Sequence, residues 1–134
     1  MNNRQLSLIF LVITGVSTIG SLYFSIGLGL IPCQYCWFQR VFMYPLAIIS
    51  CIGIYKQTTY TDIYLVLGSC GLLIAGYHSV LQRIGPESAC TSGCAEILYT
   101  VGIFSIPNLS FIGFFLTVSF ALYVKYGYLV SKVQ

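Results

Sequence analysis

The chain has 134 residues, of which 57% are hydrophobic and 7% are charged, and it carries a formal net charge of +3. A water-exposed surface needs far more charge than 6 Lys and Arg and 3 Asp and Glu side chains supply, so the composition excludes an ordinary soluble domain. The sequence also lacks the basic surface that binds nucleic acid. We therefore expect one integral membrane domain, residues 1–134, surrounded by membrane lipid.

Four charge-poor segments predict four membrane-spanning helices, because about 20 apolar residues are needed to cross roughly 30 Å of hydrocarbon. In chain order the predicted spans are residues 6–26, 35–55, 63–82 and 109–126. The first segment is longer than the apolar core of a signal peptide, and no Ala-x-Ala cleavage site follows it. The predicted fold class is therefore an all-α membrane protein, a four-transmembrane-helix bundle.

Small residues recur every four positions in two of the predicted helices. They are Ser17, Ser21 and Ser25 in the first helix, and Gly71, Ala75 and Ser79 in the third. Such stripes let helix backbones approach closely in lipid, where no hydrophobic effect drives the helices together. A compact bundle is expected.

The basic residues predict the orientation, because Lys and Arg favour the cytoplasmic side of a membrane. If four helices alternate, one side holds Arg4, Lys56, Lys125 and Lys132, and the other is bordered by Arg40 and Arg83. The side with more basic residues is expected to be cytoplasmic, and both termini lie on it. The two outer loops are then residues 27–34 and 83–108.

Four of the six cysteines fall in or beside these outer loops, which face an oxidising compartment. They form two close-set pairs, Cys33 with Cys36 and Cys90 with Cys94. The other two, Cys51 and Cys70, fall within the spans, where small buried hydrophobic side chains are expected.

A short helix on the outer membrane surface is predicted in the second outer loop. After the second cysteine pair, apolar residues recur at helical spacing, and Pro107 then separates this segment from the fourth span. These residues are Ile97, Leu98, Val101 and Phe104.

The two thiol pairs can be structural staples or redox reagents. A disulfide that closes a loop of four or five residues removes only about 2 kcal/mol of unfolded-state entropy, against about 3 kcal/mol for a loop of fifteen. A close-set pair is more useful for exchange, because the second thiol can resolve a mixed disulfide made by the first. The redox interpretation is therefore favoured, with a disulfide-stapled membrane scaffold as the alternative.

The second span is long enough to cross the membrane only if it begins near Tyr35. Cys36 then lies at a helix N-terminus, where the dipole favours a thiolate, and Arg40 follows one turn later on the same face. A lone arginine at this boundary can be a snorkelling headgroup contact. Beside a thiol pair, we expect it to bind the Cys36 thiolate or an oxygen of an electron-accepting ligand.

His78 and Gln82 lie one turn apart on one face of the third span. They can hold a ligand carbonyl oxygen, or His78 can be satisfied by a neighbouring helix. A zinc centre of four thiolates is a further alternative. No metal is expected, because the second pair has Cys-x3-Cys spacing and both pairs face an oxidising space.

The chain resembles the bacterial disulfide bond formation protein B family (DsbB), and its short BdbC-type members in particular, in three stretches. These are "PCQYCWFQRVFMYPL" at 32–46, "YHSVLQ" at 77–82 and "CAE" at 94–96. The resemblance implies a protein-disulfide:quinone oxidoreductase of the bacterial cell membrane. Such an enzyme reoxidises an extracytoplasmic, DsbA-like thiol oxidase of the thioredoxin fold and passes the electrons to menaquinone or ubiquinone.

The resemblance also implies roles for individual residues. Cys90 is expected to form the mixed disulfide with the partner, and Cys94 to resolve it. The other pair reduces the quinone, with Cys36 nearest the ring. The remaining candidates bind the quinone: Arg40 beside Cys36, and His78 and Gln82 lining the pocket. One departure is that only three residues separate Cys90 from Cys94, where many family members have a long segment.

Overall fold

A computed structural model describes residues 2–29, 31–84, 100–101 and 104–133. Its four long helices are α1 (Asn3–Leu22), α2 (Gln34–Lys56), α3 (Thr61–Ile84) and α4 (Ile106–Val133). A π-helical turn, Tyr23–Gly27, extends α1. All four helices are long and apolar enough to cross a membrane, so the predicted four-helix bundle is confirmed and the chain is a multi-pass membrane protein.

The helices extend past the predicted spans, because the prediction counted only the apolar residues that cross hydrocarbon. Polar groups cap the extra turns. At the start of α1, the Asn2 backbone N–H donates to Gln5 Oε1 at 3.1 Å. At the end of α2, Gln57 takes up a left-handed conformation (φ 53°), a common way for a helix to terminate.

The predicted helix in the second outer loop is wrong at the residues described there. Val101 and Phe104 belong to two short antiparallel strands, β1 (Thr100–Val101) and β2 (Phe104–Ser105), and face each other in the register. Aromatic and β-branched residues favour extended backbone, and this preference overrides the helical spacing. Ile97 and Leu98 lie outside the described residues.

The helices pack closely where glycines face neighbouring helices. A Cβ added at Gly71 of α3 would overlap the Phe114 ring of α4. A Cβ at Gly113 of α4 would lie 2.6 Å from Ser17 Oγ of α1. Ala75, in the same stripe as Gly71, is fully buried. Small residues thus permit the close approach that the sequence predicts.

The core of the bundle combines aromatic stacking with a satisfied polar group. The rings of Phe10 and Tyr64 stack with centroids 3.8 Å apart, and Phe120 meets Phe10 edge-on at 4.8 Å. The Tyr64 hydroxyl lies 2.9 Å from Ser50 Oγ, which itself donates to the Leu46 carbonyl at 2.8 Å. These hydrogen bonds connect α2 to α3 inside an apolar interior, where an unpaired hydroxyl is costly.

The outer surface of the helices is apolar, as a lipid-facing surface must be. Val16 is 67% exposed and Leu73 is 75% exposed. Cys51 and Cys70 also lie on this surface, so the prediction that they are buried is wrong. Lipid and protein interior are similarly apolar, and a small thiol is therefore tolerated on either side of a membrane helix.

The start of α1 and the later part of α4 lie near the short connection between α2 and α3. Thr59 Oγ1 donates to the Asn3 carbonyl at 3.1 Å, and Lys125 of α4 forms an ion pair of 2.8 Å with Asp62 at the start of α3. Cys33 lies at the opposite end of α2. The thiol pair and these parts of α1 and α4 are therefore at opposite ends of the bundle.

Candidate active site

Cys33 begins α2 and organises its first turn. Its backbone is extended (φ −68°, ψ 169°), and its Sγ accepts a hydrogen bond from the Cys36 backbone N–H at 3.4 Å. The sulfur therefore occupies the place of a capping oxygen. Cys36 lies in the first helical turn, as the sequence predicts, where the positive end of the helix dipole favours a thiolate.

The two thiols of this pair are joined by a hydrogen bond. Cys33 Sγ donates to Cys36 Sγ across 3.0 Å, well beyond the covalent S–S distance of about 2.05 Å. This bond and burial raise the pKa of the Cys33 thiol from 9.0 to about 12, although the contact with His78 opposes the shift. Cys33 therefore keeps its proton at neutral pH, and Cys36 is the acceptor and the better nucleophile.

His78 contacts Cys33 from α3. Its Nε2 atom lies 3.7 Å from Cys33 Sγ, and its Nδ1 atom lies 3.2 Å from Gln39 Nε2. An amide nitrogen can only donate, so in this arrangement Nδ1 accepts and the ring proton sits on Nε2, facing the sulfur. Gln39 is 4% exposed and His78 is 1% exposed, so water does not compete for these contacts.

Arg40 is anchored to α1. Its Nε donates to Ser21 Oγ at 2.9 Å, Nη2 donates to the Ser21 carbonyl at 3.0 Å, and Nη1 donates to Ser25 Oγ at 3.4 Å. The guanidinium also lies over the Trp37 ring, 5.5 Å from its centroid. Among the described residues, three of its five N–H donors are used, and the guanidinium still faces the cavity beside it.

This cavity, of about 470 Å³, lies between α1, α2 and α4. Its walls are mostly apolar, and Cys36 and Arg40 are among the groups that line it. Gln39 and Cys33 also line it. His78 and Gln82 are not among its lining residues, because His78 turns toward Cys33 and Gln82 lies half-buried one turn further along α3. Their assignment to a ligand pocket stays a prediction.

Tyr44 is a candidate residue that the sequence analysis missed. It follows Arg40 by one helical turn, so Cys36, Arg40 and Tyr44 lie along one face of α2 and all line the cavity. The Tyr44 hydroxyl is buried and has no hydrogen-bond partner among the described residues. The spacing of four residues from Cys36 to Arg40 to Tyr44 was the signal in the sequence. An unsatisfied hydroxyl at a cavity wall suits a ligand that carries an acceptor oxygen.

The second cysteine pair, Cys90 and Cys94, lies outside the described residues. The roles predicted for these two thiols stay predictions.

The chain is similar to known proteins over most of its length. The family model described as "Disulfide bond formation protein DsbB" matches residues 3–124. The SPbeta prophage-derived disulfide bond formation protein B of Bacillus subtilis (strain 168) is 36% identical over 123 residues, which cover 85% of this chain and 83% of that protein.

Two further relatives have related names. The probable disulfide formation protein C 2 of Bacillus anthracis is 40% identical over 111 residues, covering 78% of this chain and 79% of that protein. The disulfide bond formation protein C of Bacillus subtilis (strain 168) is 33% identical over 121 residues, covering 85% of this chain and 88% of that protein. No solved structure shows a significant match.

Proposed function

Since this chain belongs to the DsbB family of disulfide bond formation proteins, and is therefore a disulfide-forming membrane oxidoreductase, we propose that it passes electrons from a thiol protein to a membrane quinone. The observation that carries the proposal is the cavity of about 470 Å³ against which Cys36 and Arg40 lie together. A nucleophilic sulfur, a fixed positive charge and apolar walls suit a lipophilic oxidant.

The cavity fits a quinone in size and in chemistry. Its volume falls in the range of about 300–1,000 Å³ that is usual for small-molecule sites. Arg40 and Tyr44 would supply hydrogen-bond donors for the carbonyl oxygens, and the apolar walls would hold the ring and the start of the tail. When bound, a quinone supplies a two-electron, two-proton acceptor.

The thiol pair provides the two electrons. An incoming thiolate attacks the Cys33–Cys36 disulfide, and completion of the exchange leaves both residues reduced while the donor pair becomes a disulfide. The Cys33 thiolate released by this exchange is stabilised by His78 Nε2–H. It then takes up a proton, which Cys33 keeps because its pKa is raised. Cys36 remains on the cavity side as the nucleophile. The disulfide re-forms when two electrons and two protons leave the pair.

We assign the incoming thiolate to the Cys90/Cys94 pair, which a reduced DsbA-like protein of the thioredoxin fold would itself reduce. The bundle supports an orientation with both termini in the cytoplasm and the thiols outside, because Lys56 and Lys125 lie at the end of the bundle that carries the start of α1 and the later part of α4. A partner in an oxidising compartment would then meet the thiols from outside.

The test is quinol formation by the purified full-length chain in lipid nanodiscs, with a reduced thioredoxin-fold protein as electron donor. We expect turnover in the unaltered chain and none in Cys36→Ser, because serine cannot carry the electrons. Cys51→Ser, on the lipid-facing surface, is the matched control and should keep full activity. Full turnover in Cys36→Ser would overturn the proposed mechanism.

A further inference from the structure

Three potential metal ligands meet at the start of α2. The Sγ atoms of Cys33 and Cys36 and a ring nitrogen of His78 all lie within 4.8 Å of one another. We propose that the reduced thiol pair and His78 form a binding site for a thiophilic cation such as Zn²⁺, and that the cation holds the pair in its reduced state. Two thiolates and an imidazole are a ligand set that Zn²⁺ prefers.

The separation of Cys33 Sγ and the His78 ring nitrogen is close to that of two ligands in a tetrahedral zinc site. In a tetrahedral site, bond lengths of about 2.3 Å to sulfur and about 2.0 Å to nitrogen place a sulfur and a nitrogen about 3.5 Å apart, and two sulfurs about 3.8 Å apart. The observed distances are 3.7 Å from Cys33 Sγ to His78 Nε2 and 3.0 Å from Cys33 Sγ to Cys36 Sγ. Cys33 and His78 already have the required separation, and Cys36 is the ligand that has to move; it is half-buried with the cavity beside it.

Gln39 can stabilise the His78 tautomer of the metal-free site or that of the metal-bound site. With its amide nitrogen toward Nδ1, the proton lies on Nε2 and faces the sulfur. Rotation of the amide by 180° presents Oε1 instead, so that Nδ1–H donates and the Nε2 lone pair faces the thiols. A metal-bound imidazole usually donates its other ring N–H to an acceptor of this kind. Gln39 is buried, so its amide is held against the ring.

The charge balance also suits the site. Binding of Zn²⁺ releases the two thiol protons, and two thiolates neutralise the dication, which gives a neutral complex at the edge of an apolar cavity. The three protein ligands leave a fourth position, where a water molecule or another ligand can bind. Both sulfurs are then committed to the metal, and they cannot form a disulfide with each other or with another thiol until the metal leaves.

The test measures metal binding without a partner protein or quinone, so its result is independent of the proposed enzymatic activity. The starting chain carries serine at Cys51, Cys70, Cys90 and Cys94, which leaves Cys33 and Cys36 as the only thiols. It is studied in detergent by competition between the protein and a chromophoric zinc chelator. We expect one Zn²⁺ per reduced chain and none after the pair has been oxidised.

Substitutions in this chain then identify the ligands. Cys36→Ser should weaken Zn²⁺ binding by roughly a hundredfold or more, and His78→Ala by roughly tenfold or more, because each removes one metal bond. Ser79→Ala, the neighbouring position on α3, is the matched control and should leave the affinity unchanged. The Co²⁺ absorption spectrum of the unsubstituted site gives a second measurement that needs no variant, and sulfur ligation in a tetrahedral field is expected.

Two results would overturn the proposal. One is the absence of zinc uptake by the reduced chain. The other is an unchanged zinc affinity in folded His78→Ala, which would mean that the dithiol alone binds the metal. If His78→Ala does not fold, an octahedral Co²⁺ spectrum without sulfur ligation would be equally decisive.

Discussion

Cys33 caps α2 from a buried position, whereas Cys36 lies half-buried at the cavity, and the hydrogen bond between them runs from the first to the second. The donor keeps its proton, so the two thiols of one pair differ in reactivity. This difference suits a redox pair in which one sulfur is the nucleophile and the other stays protonated. The asymmetry has a direct chemical test.

We expect a small neutral alkylating agent at pH 8 to modify Cys36 roughly tenfold or more faster than Cys33, because only the thiolate reacts. The raised pKa of Cys33, about 12, means that its thiol stays protonated as the pH passes 9 and ionises only near 12. Peptide mapping by mass spectrometry measures both rates. Equal rates for the two thiols would contradict the assigned hydrogen-bond direction.

Cys36→Ala provides the control for this prediction. The hydrogen bond to Cys36 is the largest cause of the raised pKa of Cys33, so its removal should bring the pKa of Cys33 down toward 9.0. Alkylation of Cys33 at pH 8 should then become faster than in the unaltered chain. Burial still slows the reaction, and the gain is therefore smaller than the change in pKa alone implies.

Tyr44→Phe tests the unsatisfied hydroxyl at the cavity wall. If this hydroxyl donates to a quinone oxygen, its loss costs about 0.5–1.5 kcal/mol and raises the KM for quinone by roughly 2- to 12-fold, while kcat changes little. Steady-state quinol formation measures both constants. Tyr55→Phe, at the opposite end of α2 and 89% exposed, is the matched control. An unchanged KM in Tyr44→Phe would remove Tyr44 from the site.

The individual site residues were predictable to different degrees. Cys36 and Arg40 follow from spacing, because a helix long enough to span must begin near residue 35 and then carries both on one face. Gln39 and Ser21 were not predictable as partners of His78 and Arg40. Each contact joins two helices, and the rotation of one helix relative to another is set by packing rather than by either sequence alone.

The close packing of α3 against α4 depends on Gly71, which has no side chain to overlap the Phe114 ring. We expect Gly71→Ala to destabilise the bundle by about 1–3 kcal/mol, because the new methyl group overlaps Phe114. The fall in the midpoint of thermal unfolding in detergent is the measurement. Combining Gly71→Ala with Phe114→Leu should recover part of the loss.

Gly20→Ala is the matched control for this substitution, since it lies in α1 and a Cβ there meets nothing within 4 Å. It should be neutral or should stabilise the helix by up to about 1 kcal/mol, the usual difference between glycine and alanine. Similar destabilisation in Gly20→Ala and Gly71→Ala would show that the Phe114 contact is not the cause.

Apolar runs identified the helices but did not identify their faces. In a soluble protein an apolar face marks the core, whereas in lipid both faces are apolar and the distinction is lost. Cys51 and Cys70 were misplaced for this reason. Likewise the segment around Val101 shows helical spacing and strand-forming residues together, and over so short a stretch the spacing was the weaker signal.

The orientation of the whole bundle in the membrane can be tested with two single-cysteine variants of a cysteine-free chain. Thr58→Cys lies in the connection between α2 and α3, and Ile31→Cys lies just before Cys33 at a position that is 84% exposed. In intact cells without an outer membrane, a membrane-impermeant maleimide should label Ile31→Cys. It should label Thr58→Cys only after the membrane is broken. The reverse pattern would place the thiol pair in the cytoplasm.

The cavity beside Cys36 has a wall that is also part of the lipid-facing surface, since Val12 and Val16 line it and are 63% and 67% exposed. A molecule dissolved in the bilayer can therefore reach the site sideways, without crossing water. Occupancy then follows the amount of ligand per lipid rather than per volume of buffer. Dilution of the membranes with extra lipid would slow the protein, while dilution of the whole suspension with buffer would not.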